Sequence, residues 1–241
     1  MRVLVTRPEL AGRETAERLR SLGHEPVLLP MSAPVHDPQA ALAGLSSPHS
    51  AIAITSAEAI RTLSRLGDKL TPYLADPLFA VGKASARAAE GAGIRKVIAS
   101  TGNGIALADN IKVYLREHEM GGGPLLYLTG RPRSGGFEAQ LAAHRIPFTV
   151  CECYEMRALN YEAAELQAVF EEDTLDAVLF YSPESAKRFF AQPYMNKNSH
   201  PLNHLHYFCM SENVLLALPL RYRQNASVAA TPDEAALLAL L

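Results

Sequence analysis

Short apolar runs recur along the whole chain, and most lack polar alternation. They include Val3-Leu4-Val5-Thr6, Ala51-Ile52-Ala53-Ile54-Thr55, Leu78-Phe79-Ala80-Val81-Gly82, Leu125-Leu126-Tyr127-Leu128-Thr129 and Ala177-Val178-Leu179-Phe180-Tyr181. Pro26 to Pro30, Lys96 to Ser100, Ile146 to Tyr154, Leu205 to Met210 and Ser227 to Ala230 read the same way. Strands of this kind are buried on both faces, as in parallel sheets covered by helices. Ala11 to Leu22 reads as a helix, and helical stretches separate most of the other runs. The pattern specifies βαβ crossovers, hence an α/β chain of doubly wound parallel sheets. Its 241 residues allow one or two domains. A chain of this length needs no disulfide or metal staple.

An internal repeat narrows the choice to two domains. Thr6-Arg7-Pro8 resembles Thr129-Gly130-Arg131-Pro132, and Thr55-Ser56-Ala57-Glu58 resembles Tyr181-Ser182-Pro183-Glu184. Phe79 to Gly82 matches Phe208 to Ser211, and Thr101-Gly102-Asn103 matches Thr231-Pro232-Asp233. The separation between partners grows slowly along the chain, as in a duplication with later loop changes. Each copy holds five runs, and Gly121 to Pro124 marks the seam. Two segments argue against a simple cut there. Pro30 to Pro38 is extended by its prolines, and its counterpart Val150 to Leu159 is long and free of Gly and Pro. Together they form a candidate pair of strands bridging two domains. Each copy then gives its first βαβ unit to one domain and the rest to the other.

Ligands of open parallel sheets bind beyond the carboxyl ends of the strands. Those ends carry Thr6-Arg7, Thr55-Ser56, Gly82-Lys83-Ala84-Ser85, Ser100-Thr101-Gly102, Thr129-Gly130-Arg131, Tyr181-Ser182, Ser211 and Thr231. Ser, Thr and Gly at single positions serve equally as caps and turns. The whole set, with Arg7, Lys83, Arg131 and Arg133, points to an anion-binding cleft between two facing domains, using free N–H groups at helix starts. Net charge is -2, so no general field draws in nucleic acid or an anionic membrane. No dinucleotide or P-loop motif is present. No nucleophile elbow or paired-carboxylate motif appears either. Cys151-x-Cys153 lacks a second ligand pair, which favours packed core thiols over a metal. Three cysteines fit a reducing cytoplasm. No apolar run reaches membrane-spanning length, and Arg7-Pro8 comes too soon for a secretory core. Pro193 to Pro201 reads as a polar surface loop.

The order of these motifs resembles the uroporphyrinogen-III synthase family over nearly the whole chain. Val3-Leu4-Val5-Thr6-Arg7-Pro8 and Ile54-Thr55-Ser56-Ala57 open the likeness. Val81-Gly82-Lys83-Ala84-Ser85-Ala86, Leu126 to Gly130, Cys153-Tyr154-Glu155, Phe180-Tyr181-Ser182-Pro183 and Ala230-Thr231-Pro232 continue it. The resemblance implies two flavodoxin-like domains joined by a two-stranded ladder. Residues 1–34 and 158–241 would form one domain, 39–150 the other, and 35–38 with 151–157 the bridging strands. It implies a cytoplasmic monomer without cofactor or metal, acting on hydroxymethylbilane, a linear tetrapyrrole with eight carboxylates. The reaction removes the hydroxyl as water, inverts the last pyrrole through a spiro intermediate, and closes uroporphyrinogen III. Tyr154 would donate the proton. Thr55, Ser56, Ala57, Gly82, Lys83, Ser85, Gly130, Arg131, Ser182 and Pro183 would hold carboxylates. Thr101 and Ser211 join them as strand-end residues. Arg7 either lines the cleft or pairs with an acid to fix its own loop. Met210-Ser211-Glu212-Asn213 departs from the family's turn, since Glu212 puts an acid where a polyanion should approach. That departure favours the competing expectation, a non-catalytic two-lobed binding module for a carboxylated small molecule.

Overall fold

The computed structural model describes residues 1–118, 122–171, 175–197 and 202–241. These divide into two compact units, Met1–Ala33 with Arg157–Leu241, and Pro34–Met156.

The first unit holds strands β1 (Arg2–Val5), β2 (Glu25–Leu28), β9 (Ala177–Phe180), β10 (His206–Cys209) and β11 (Ala226–Val228). Their order is β11-β10-β9-β1-β2, and neighbours pair in parallel. The central strands are apolar because both faces are covered. Leu4, Val178 and Phe180 face one buried cluster, while Val3, Val5, Ala177 and Leu179 face another. Thr6, wholly buried beyond β1, donates its hydroxyl to the Leu179 carbonyl at 2.8 Å. The polar residue is tolerated there because it is satisfied.

The second unit is built on β3 (Ser32–His36), β4 (Ala51–Ile54), β5 (Leu78–Val81), β6 (Val97–Ser100), β7 (Leu125–Arg131) and β8 (Phe148–Ala158). Their order is β3-β8-β7-β4-β5-β6. The pairings from β8 to β6 are all parallel. All four residues of β4 are buried. β3 and β8 are the extended segments expected around Pro30–Pro38 and Val150–Leu159. The Asp37 amide donates to the Cys153 carbonyl, and the Leu159 amide to Met31. Partner numbers fall as chain numbers rise, so this pair runs antiparallel.

The helix starts follow their caps. Asp37 accepts from the Ala40 amide, with Pro38 in the first turn. Asn103 accepts from both Ile105 and Ala106. Side-chain oxygens thereby satisfy amides that the helix leaves open.

Pro193 to Pro201 departs from the surface-loop expectation. Pro193–Lys197 is a short helix, and Tyr194 and Met195 are buried in the core. Tyr194 stacks on Phe170. The polar letters around two apolar anchors hid this packing. Residues 198–201 lie outside the described residues, as does Gly121 of the seam. Cys151 and Cys153 pack in one core cluster, and no group of His, Cys, Asp or Glu among the described residues is arranged to hold a metal. No helix among them is long and apolar enough to cross a membrane.

Candidate active site

Tyr154 sits on β8 opposite Gly130 of β7, at a bulge between Thr129 and Gly130. The two residues touch so closely that only glycine fits. A Cβ on Gly130 would lie 2.2–2.5 Å from three atoms of the Tyr154 ring. The phenol is mostly buried, and this desolvation pushes its pKa up to about 12, while a hydrogen bond from Ser56 pulls the other way. Tyr154 is therefore a neutral phenol throughout the neutral range.

Cys153 and Cys209 are lifted to about 12 by the same desolvation. Ordinary values are 9.0 for the thiol and 10.0 for the phenol. Each group therefore binds its proton more tightly folded than unfolded. The associated stability is complete below about pH 9 and is lost as pH rises toward 12. Each group adds up to ~1.4 kcal/mol per pH unit to that slope. Urea midpoints measured at pH 8, 9, 10 and 11 should hold at first and then fall steeply. A flat series to pH 11 would contradict the burial of these groups.

A cavity of about 470 Å³ opens beyond the carboxyl ends of β4, β5 and β7. This is within the ~300–1,000 Å³ of small-molecule sites. Tyr154, Tyr127, Thr55 and Thr129 form one wall. The Thr55 and Tyr127 hydroxyls are 2.8 Å apart. The lining also includes two helix starts, Asn103–Ile105 and Ser134–Gly136. They open the helices Gly104–Glu117 and Gly136–Ala143. Gly102 and Gly135 have φ of 93° and 70°, which an L side chain resists. Arg133 lies at the rim, held by Glu138 at 2.7 Å and Glu152 at 2.5 Å, and this pairing raises its pKa. The arrangement joins a mostly buried phenol to two helix starts, one already capped by Asn103 through the Ile105 and Ala106 amides and the other, at Ser134–Gly136, without a side-chain cap, a combination suited to a carboxylated ligand.

Of the expected site residues, Thr55 and Tyr154 line this cavity. Ser56 caps the helix Ala57–Ser64 by accepting from the Glu58 amide at 3.2 Å. Gly82, with φ of 75°, opens the helix Gly82–Gly91. Lys83 and Thr101 are exposed, while Ser85 is buried. Arg131 pairs with Glu152 at 3.1 Å. The reading from sequence missed Asn103-Gly104 and Ser134-Gly135-Gly136. Their signal was present, a cap or glycine pair directly after a strand end.

In the first unit, Arg7 takes the acid-pairing alternative. Its guanidinium lies 2.9 Å from Glu234 and 3.1 Å from Thr15, and stacks over the Tyr181 ring at 4.3 Å. The same Glu234 oxygen accepts from Thr15 at 2.6 Å and Tyr181 at 2.8 Å, and Arg18 pairs with the other oxygen. Ser182 caps the helix Pro183–Phe190, with Pro183 in its first turn. Ser211 precedes the four-residue helix Glu212–Leu215 without a side-chain cap bond. Glu212 is exposed and contributes to the raised Cys209 thiol.

The family model for uroporphyrinogen-III synthase HemD matches residues 13–239. The uroporphyrinogen-III synthase of Escherichia coli (strain K12) is 30% identical over 254 residues, an alignment covering 100% of both chains. The uroporphyrinogen-III synthetase of Helicobacter pylori 26695 superposes with a TM-score of 0.68 at 17% identity, over 100% of this chain and 98% of that one. A mutant uroporphyrinogen III synthase of the extremely thermophilic bacterium Thermus thermophilus gives 0.56 at 17% identity, over 99% and 96%. At those identities the structures speak for the fold. The family match is independent of them and spans Thr55, Tyr154 and the Arg7 partner Glu234: the chain belongs to the uroporphyrinogen-III synthase family of tetrapyrrole biosynthesis.

Proposed function

We propose that this chain converts hydroxymethylbilane to uroporphyrinogen III, with Tyr154 as the proton donor. The observation that carries the reading is a buried, neutral phenol in the wall of a cavity otherwise lined by helix starts and hydroxyls. The substrate's pyrrole nitrogens push electrons toward the carbon that bears the hydroxyl. The carbon–oxygen bond breaks, and the hydroxyl takes the Tyr154 proton and leaves as water. The substituted α carbon of the last pyrrole attacks and forms a carbon–carbon bond, which gives the spiro intermediate; its older bond to the neighbouring methylene then breaks, and the free α carbon of the turned ring bonds that methylene and closes the macrocycle. The proton shed by that free α carbon returns the phenol to its starting state. Strong nucleophiles are unnecessary, because the chemical problem is to hold a flexible chain so that the correct carbon attacks.

The helix-start amides at Gly104 and Ser134–Gly136, together with Arg133, are the groups we assign to substrate carboxylates in this unit. Thr55, Gly82, Lys83, Ser85, Thr101 and Arg131 extend that polar edge. Ser182, Pro183 and Ser211 give the first unit a matching one. We read the protein as a cytoplasmic monomer that works without cofactor or metal.

The deciding experiment mixes the purified chain with freshly prepared hydroxymethylbilane and separates the isomers. Isomer III should form faster than spontaneous closure. Tyr154→Phe should keep isomer III as product while slowing turnover about 100-fold, the lower range for loss of a general acid. Isomer I alone, at the uncatalysed rate and from folded protein, would establish the binding-module reading instead.

A further inference from the structure

His36 ends β3, the strand next to the one that carries Tyr154. Its side chain is 4% exposed. Nε2 lies 2.9 Å from Glu58 Oε2. The other Glu58 oxygen takes the Arg61 guanidinium one turn along the same helix. A carboxylate fixed by an arginine thus fixes the imidazole. The ring meets Tyr154 at 6.5 Å between centroids, tilted by 50°, within the range of aromatic pairs. Its Nδ1 is buried and has no hydrogen-bond partner among the described residues. A buried imidazole held by a carboxylate and set against the Tyr154 ring calls for a reason beyond core polarity.

The helix start supplies that reason. Ser56 caps the helix Ala57–Ser64, and its hydroxyl is near enough to the Tyr154 phenol to favour the ionised form. Glu58, two residues on, anchors His36 against the Tyr154 ring. One turn of helix therefore bears on the phenol at its oxygen directly and on its ring through histidine. Gly130 closes the ring from β7. We propose that His36 is a positioning residue for Tyr154, locked by Glu58 and Arg61 so that the phenol presents its proton in one orientation. The proposal rests on Tyr154 being the proton donor.

The test is a double-mutant cycle on the full chain with hydroxymethylbilane. His36→Leu should lower kcat about tenfold and leave KM within twofold. His36→Gln, which keeps a donor toward Glu58, should lose only about threefold. In the Tyr154→Phe background, His36→Leu should cost less than twofold. A full tenfold loss in that background would overturn the proposal, as would an unchanged kcat for His36→Leu. Should the leucine variant not fold, the same cycle is run with His36→Gln, whose expected threefold loss should likewise vanish in that background. A ring-carbon NMR signal of Tyr154, assigned by its absence in Tyr154→Phe, reads placement without turnover. His36 substitution should move that signal, and an unmoved signal overturns the proposal. If Tyr154→Phe leaves kcat unchanged, the proton-donor reading fails by itself, and the NMR signal decides whether His36 positions the ring.

Discussion

Gly130→Ala should reduce turnover on the order of 10²–10³-fold, more than loss of the Tyr154 hydroxyl alone. The added Cβ would sit 2.2–2.5 Å from three atoms of the Tyr154 ring. Neither partner can retreat cheaply, since both are held in the β7–β8 ladder. The ring must rotate out or the bulge must open, and a misplacement of about 1 Å at such a site can cost 10² by itself. Overpacking also costs roughly 1–3 kcal/mol of stability. Thermal melts of Gly130→Ala, Tyr154→Ala and the double variant separate the two effects. If the clash is the cause, Tyr154→Ala relieves the stability cost of Gly130→Ala, and the pair is strongly non-additive. Turnover stays low in the double variant because the phenol is gone. Full activity in Gly130→Ala would show that the ring has room to spare and would remove this account of the site.

Glu234→Ala should destabilise the first unit by about 2–3 kcal/mol, discounted from a fully buried pair because the side chains retain some solvent contact. Glu234 is 15% exposed and Arg7 26%. Removing the carboxylate strips partners from Arg7, Thr15, Tyr181 and Arg18 together. Two guanidinium groups then remain near each other without an anion. At this chain length the melting temperature should fall by roughly 4–12 °C. Glu234→Gln should fall less, because the amide oxygen still accepts from Thr15 and Tyr181. High salt should narrow the gap between wild type and Glu234→Ala by screening the exposed part of the pair. A melting temperature within 1 °C of wild type would reduce the network to a surface ion pair.

Apolar runs made the strands readable. β4 and β9 are buried at every residue, and their letters show nothing else. Helix caps were legible for the same local reason, since Ser56, Asn103 and Ser182 each act within three residues. The cavity was only partly legible. Thr55 and Tyr154 could be named, one from its strand end and the other from a family motif. Asn103–Ile105 and Ser134–Gly136 were passed over, because a cap beside a glycine looks alike whether it faces a cavity or bulk water. The Arg7–Glu234 pair spans most of the chain in sequence, and no local pattern encodes such a meeting. The short helix Pro193–Lys197 was misread because composition outvoted the two apolar residues that anchor it.

The interrupted first unit sets a timetable for synthesis. β1 lies between β2 and β9, and β9 begins at Ala177. When the ribosome has made β1 and β2, the other neighbour of β1 does not exist. The whole span 34–156 must be translated first, roughly 6–25 s at ~5–20 residues per second. Throughout that interval Val3, Leu4 and Val5 present an open strand edge and two apolar faces to the cell. The inserted unit has all of its strands between 32 and 158 and can close while the rest of the chain is being made. Newborn chains are thus most vulnerable to strand-edge association and chaperone capture at their amino terminus, and that vulnerability ends only when the last third of the message has been read.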